Sequence, residues 1–301
     1  MVENVEALPT IASRVYTSVG EDLVLFPEGK LISSRAQLLQ EVAQRGPTEL
    51  FQDAASLVRD VSVGAREMVD LRRDAVYEGV GLPRGDRSPV GIIGGFGSSQ
   101  IHYFDSAHSL SRANYSVRTM PWGMVNEKNP FDMAHFMMPE IKQFKKDSGQ
   151  RIKLVVHSLG GYDAAAMFAL YPQEFVDNVE HVVFVGSPRP ERLNSALALS
   201  YLVLHMFERD DEFKMTEKLT ELEDVVESGL IKVTSIDSSF DPVVRGQHLA
   251  KDENHYVIDR ASHSALGMNR FTIRAVAHAF VGEEVDNMLH PTIHHPSKEA
   301  A

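Results

Sequence analysis

From Val90 onward the chain alternates between two kinds of apolar pattern. Short unbroken apolar runs, Val90–Ile93 and Ile152–Val156 among them, are bounded by glycine or polar residues, which predicts strands buried on both faces. Longer stretches with apolar residues at helical spacing lie between them, over 100–112, 132–147 and 160–170. Further strands are expected at Tyr115–Met120, over "HVVFVGSP", at 230–237 and at 255–259, with a closing helix over 269–281. Strand and helix in strict alternation predict an α/β fold, a mostly parallel sheet with helices on both faces.

The flanks read differently. Residues 36–78 carry helical spacing, with Leu50, Phe51, Ala54, Leu57 and Val58 on one face, and the Gly-Pro of "GPTELF" suits a first helical turn. The breaker cluster "GLPRGDRSP" closes this segment, which gives a helical N-terminal extension over 1–88. The core then occupies 89–189 and 230–283. Between them, 190–229 is mostly helical and too long for an ordinary connection, so a cap or lid insertion is expected there. Residues 284–301, with "HPTIHHPSKEAA", read as a flexible tail.

Composition narrows the classes. With 301 residues and 43% hydrophobic content, one large globular domain with additions is expected. A formal charge of −12 argues against nucleic acid or an anionic membrane as partner. The absence of cysteine excludes disulfides, thiolate metal sites and a cysteine nucleophile. No basic-then-apolar leader pattern opens the sequence, and the longest apolar run, Ala196–Phe207, is too short to span a bilayer. A cytoplasmic protein without a stable membrane anchor is therefore expected.

The chemistry concentrates around "KLVVHSLGG". A strand ending in x-Ser-x-Gly before a helix forms a sharp turn that lifts the serine hydroxyl above the carboxyl edge of the sheet. Ser158 sits there, with Gly160 supplying the small residue and the Leu159 N–H at the helix start facing where an oxyanion would form. "GIIGGFGSS" follows the first core strand, where a second oxyanion amide belongs: Phe96 first, Gly97 next. A dinucleotide loop fits this glycine run less well, because Gln100 replaces its third glycine and the next strand carries no acid at its tip. An acid and a base should follow at the ends of later strands, and Asp241 in "SSFDPVV" and His263 in "RASHSALG" do so in the required order. Asp237 and Asp252 also lie in that interval; Asp237 falls inside a strand and Asp252 enters one from the amino-terminal edge. Trp122 in "PWGMVNEKNP" is expected to cap the core, with a wall of the substrate pocket as the alternative. His157 is expected to pack or hydrogen-bond, and the tail histidines His290, His294 and His295 to bind nothing.

With these motifs in place, Leu82 to Val281 resembles an α/β-hydrolase and is similar to bacterial lipases and esterases. The resemblance rests on "GGFGSS", "WGMVNEKNP", "HSLGG", "GSPRP", "DPVV" and "ENHYVIDRASHSALGMN". Two positions depart from the usual pattern: Val156 replaces the first elbow glycine, and Gly94 stands where many relatives carry histidine. The resemblance implies a serine hydrolase cleaving esters, with an apolar acyl chain, through Ser158, Asp241 and His263, with no metal or cofactor. Acyl transfer by the same triad, or a non-catalytic binding role for the fold, are the alternatives.

Overall fold

The structure is a computed structural model that describes residues 47–122, 126, 129–187, 228–239, 241, 244, 254–259 and 261–282, with the backbone of three two-residue strands. Two of those, β1 (Val24–Leu25) and β2 (Leu31–Ile32), form an antiparallel pair. The long helix α1 spans Pro47–Arg73. The core follows as β3 (Pro89–Ile93), α2 (Phe104–Arg112), β4 (Ser116–Thr119), α3 (Pro130–Ser148), β5 (Ile152–His157), α4 (Gly160–Leu170), α5 (Pro172–Asn178) and β6 (Val179–Val185). After the expected insertion, of which 190–227 lies outside the described residues, come β7 (Lys232–Ser238), β8 (His255–Ile258), α6 (His263–Leu266), α7 (Arg270–Val281) and β9 (Ile293–His294).

One sheet organises the core, in the order β4-β3-β5-β6-β7-β8-β9. Its first six strands are parallel, and β9 adds antiparallel at the β8 edge, so two residues of the expected tail are a strand. Parallel strands need crossover helices, and those helices cover both faces. Hence β3 and β6 are buried almost throughout and read as plain apolar runs. Helices α3, α4 and α5 pack together, while α1, α2 and α7 form the other group.

Local chemistry fixes the helix ends. Asn129 caps α3 by accepting from the Phe131 N–H at 2.8 Å, with Pro130 opening the first turn and Gly149 closing it at φ 71°. Asn269 and Gly282 do the same for α7. Met133, Met137, Ile141 and Phe144 of α3 are all fully or almost fully buried, a stripe at helical spacing.

Helix α1 follows a different rule. Val58, expected on the buried face, is 69% exposed; the inward positions are Asp60, Gly64 and Leu71. Among its described side chains, carboxylates and a glycine share the docking face with Leu71 and Met68. Asp74, just past its end, accepts from Arg270 and Arg274 at 3.3 and 3.0 Å, and Arg72 meets the buried Asp105 at 2.7 Å. Among the described residues no helix is long and apolar enough to cross a membrane.

Candidate active site

Strand β5 carries the chain through a run buried at every position but Lys153 and releases it at Ser158, whose φ is +52°. A non-glycine residue in the left-handed region is strained by on the order of 1–3 kcal/mol and persists only where its surroundings hold it. Here the Ser158 N–H donates to Val185 O at 3.0 Å, and its carbonyl accepts from Gly161 N–H at 3.0 Å. Gly160 cannot carry a side chain: a Cβ would lie 2.7 Å from the Ile93 carbonyl oxygen and 3.1 Å from that of Gly94. Val156, in register with Ile93 and Phe184, is fully buried inside the ladder. The sharp turn therefore forms with valine at that place.

Above the elbow three side chains converge. Ser158 Oγ lies 2.9 Å from His263 Nε2, and His263 Nδ1 lies 2.7 Å from Asp241 Oδ2. A carboxylate can only accept, so Nδ1 carries the proton and Nε2 is left to accept from the serine hydroxyl. The second oxygen of Asp241 accepts from Val244 N–H at 2.8 Å, which fixes the carboxylate plane. Gly186 ends β6 beneath this pair; a Cβ there would stand 3.4 Å from Asp241 Oδ2 and 3.5 Å from His263 Nδ1. Burial opposes a charged His263, but the Asp241 carboxylate outweighs it, helped by Asp60 and Asp237, and the ring's pKa is raised. Asp237 itself is held in β7 against His255 Nε2 at 3.0 Å, and Asp252 lies outside the described residues.

The loop after β3 comes close to the elbow, since a Cβ on Gly95 would be 2.9 Å from that of Ser158. The N–H groups of Phe96 and Leu159 have no acceptor among the described residues. Gly97, expected as a further donor, is different: its N–H is committed to Asn126 O at 2.8 Å. Trp122, a candidate for core cap or pocket wall, is fully buried, donates Nε1–H to Ser98 O at 2.9 Å and meets Tyr103 edge-on. The indole supports the loop from below because its only polar atom finds an acceptor there. Gly94 is equally constrained, since a Cβ would sit 2.5 Å from both Ser98 Oγ and Tyr103 Cε2 and 2.7 Å from Trp122. The room a histidine would need is filled by these three side chains.

Two polar arrangements under the loop escaped the sequence reading. His157 Nε2 faces the His263 carbonyl at 2.9 Å, so it carries the proton, and Nδ1 accepts from Tyr103 Oη–H at 2.7 Å. The tyrosine oxygen in turn accepts from Gly95 N–H at 2.9 Å. One chain of hydrogen bonds thus runs from the loop after β3 to the backbone of His263. Burial keeps all of it neutral, lowering His157 to about 3 and raising Tyr103 to about 12. Beside it, buried Asn126 donates to Gly94 O at 2.8 Å and to Asp163 Oδ2 at 3.0 Å. Burial raises Asp163 to about 8.

The arrangement contains a hydroxyl within hydrogen-bond distance of an imidazole, a carboxylate behind that ring, and two backbone amides with no acceptor among the described residues. That combination can activate an alcohol oxygen and stabilise charge developing on a carbonyl. Among the described residues no group of three or more His, Asp or Glu could hold a metal ion.

By sequence, no family model and no curated protein matches the chain. Solved structures do resemble it. The mature form of a Bacillus licheniformis lipase aligns at 15% identity and TM-score 0.44, over 71% of this chain and 95% of that one. An esterase from a Rhodococcus species aligns at 12% identity and TM-score 0.45, over 67% of this chain and 93% of that one.

Proposed function

We propose that this chain is a serine hydrolase of carboxylic esters working through an acyl-enzyme on Ser158. The observation that carries the proposal is the unbroken hydrogen-bonded line from Ser158 through His263 to Asp241, standing on a strained elbow. In the reaction, Ser158 Oγ attacks the ester carbonyl as His263 Nε2 takes its proton, with Asp241 stabilising the imidazolium. The oxyanion accepts from the Phe96 and Leu159 amides, each worth about 3 kcal/mol of barrier. Collapse expels the alcohol, protonated by His263. Water, deprotonated by the same nitrogen, then attacks the acyl-enzyme and returns the free acid and serine.

Phe96, Ile101 and Phe104 leave apolar side chains exposed around the oxyanion loop, which supports an apolar acyl chain in the substrate. A panel of p-nitrophenyl esters of graded chain length tests both parts. The wild-type chain is expected to hydrolyse them with a preference for longer acyl groups, and Ser158→Ala to release no nitrophenol while keeping its circular dichroism. Wild-type rates in the alanine variant would remove Ser158 as nucleophile. Equal rates across chain lengths would remove the apolar acyl site.

A further inference from the structure

Helix α1 turns Asp60, Gly64, Glu67 and Leu71 toward the core, a spacing that places all four on one face. Carboxylates on an inward face are costly unless they find donors. These find theirs in the segment that bears the active-site histidine. Asp60 accepts two successive backbone N–H groups, His263 at 2.6 Å on Oδ1 and Ser264 at 2.9 Å on Oδ2. Glu67 accepts the Ser262 hydroxyl at 2.7 Å and the Asn269 amide at 2.9 Å, and the Ser262 N–H lies 3.2 Å away. Ser262 Oγ then accepts from Ala265 N–H at 3.2 Å, so the first three amides of α6 are all satisfied, two of them from another helix. Gly64 shows how closely the two meet: a Cβ there would be 2.6 Å from Ser264 Oγ and 3.2 Å from the Ala265 Cβ. Glycine inside a helix costs about 1 kcal/mol against alanine, and this contact is a reason for it.

We propose that Asp60, backed by Glu67, is a positioning residue of the active site, which locks the His263 backbone and sets a fixed negative charge behind the imidazole. The proposal rests on the reading of His263 as general base. The groups facing His263 come from each element around it: Asp60 from α1, Asp241 beyond β7, Asp237 within β7, and neutral His157 from β5. Asp60 therefore acts with Asp241, favouring the imidazolium formed when Ser158 gives up its proton. Its two hydrogen bonds also fix where the ring starts, and displacement of a catalytic group by about 1 Å can cost about 100-fold.

Asp60→Asn tests this. The amide nitrogen cannot accept, so one of the two N–H groups loses its partner and the charge is gone. The ring pKa of His263, followed by NMR titration, is expected to fall below that of the wild type. The kcat on a p-nitrophenyl ester is expected to drop about 10- to 100-fold with KM unchanged. Asp70→Asn, half-buried on the same helix and paired with Arg66, is the control and should change neither. An unaltered His263 titration in Asp60→Asn overturns the proposal, whatever the turnover. Should that variant fail to fold, Glu67→Gln decides: reduced kcat at constant KM supports the clamp, and wild-type kcat overturns it. A wild-type chain without esterase activity would instead sink the hydrolase reading, and the ring titration would still decide the role of Asp60.

Discussion

Asp241 and Asp237 are near neighbours in sequence, and their surroundings assign them different work. Asp241 stands just past the end of β7, free of the ladder, and reaches His263 Nδ1 at 2.7 Å. Asp237 is held in the ladder against His255. Replacing Asp241 with asparagine preserves shape but lets the imidazole adopt the wrong tautomer, which cost on the order of 10⁴ in turnover in a well-studied serine protease. Asp241→Asn is therefore expected to lose several powers of ten in kcat with little change in melting temperature. Asp237→Asn should do the reverse, lowering the melting temperature by removing the carboxylate charge beside buried His255 while leaving most of the turnover. Paired kinetics and thermal melts on the two variants check this, and a crippled Asp237→Asn beside an active Asp241→Asn would exchange their roles. At this scale the sequence spoke clearly for Ser158, Asp241 and His263, because motif and chain order constrain them together. It left Trp122 open between core cap and pocket wall and offered Gly97 as a further donor, because both depend on acceptors elsewhere: Ser98 O for the indole and Asn126 O for the amide. No local pattern encodes such a partner.

Strands and crossover helices were legible because a parallel sheet covered on both faces must write itself as apolar runs separated by helical periodicity. Predicted and observed limits of β3, β5, β7 and α7 differ by only a residue or two at each end. Helix α5 was not anticipated: Tyr171 alone separates it from α4, and Pro172 at its first turn is the signal that could have revealed it. Helix α1 was anticipated, but Val58, expected on its apolar face, turns outward. Its inward face is Asp60, Gly64 and Glu67, which polarity rules assign to solvent, while Val58 and Val61 face outward. The usable hint was Gly64, a glycine in the middle of a long helix with no turn to make. The oxyanion loop shows the same limit, since Tyr103, His157, Asn126 and Trp122 come from separate elements and meet only in the folded chain.

Across the whole molecule, acid and alkali act on stability through different buried groups. His157 and His181 are lowered by burial to about 3. As pH falls from the ordinary histidine value of 6.5 toward 3, the unfolded chain gains protons that the folded chain refuses, and stability declines. Asp163 works in the other direction. Burial raises it from 3.8 to about 8, so between those values the folded chain holds a proton that the unfolded chain has released. Stability contributed by the neutral carboxyl is then lost as pH rises toward 8. Asp163→Asn removes this titration. Its melting temperature should exceed the wild-type value near pH 8, and the advantage should vanish near pH 4. A deficit of equal size at both pH values in thermal melts would show that hydrogen bonding to Asn126, not protonation, governs the site.

The proposed function makes one oxygen of the whole molecule, Ser158 Oγ, the nucleophile. Incubation with a fluorophosphonate followed by peptide mapping in a mass spectrometer reads that oxygen directly. The account predicts a single phosphonyl adduct on the peptide containing Ser158, absent from Ser158→Ala. An adduct on another serine, or none on a folded wild-type chain, would contradict it.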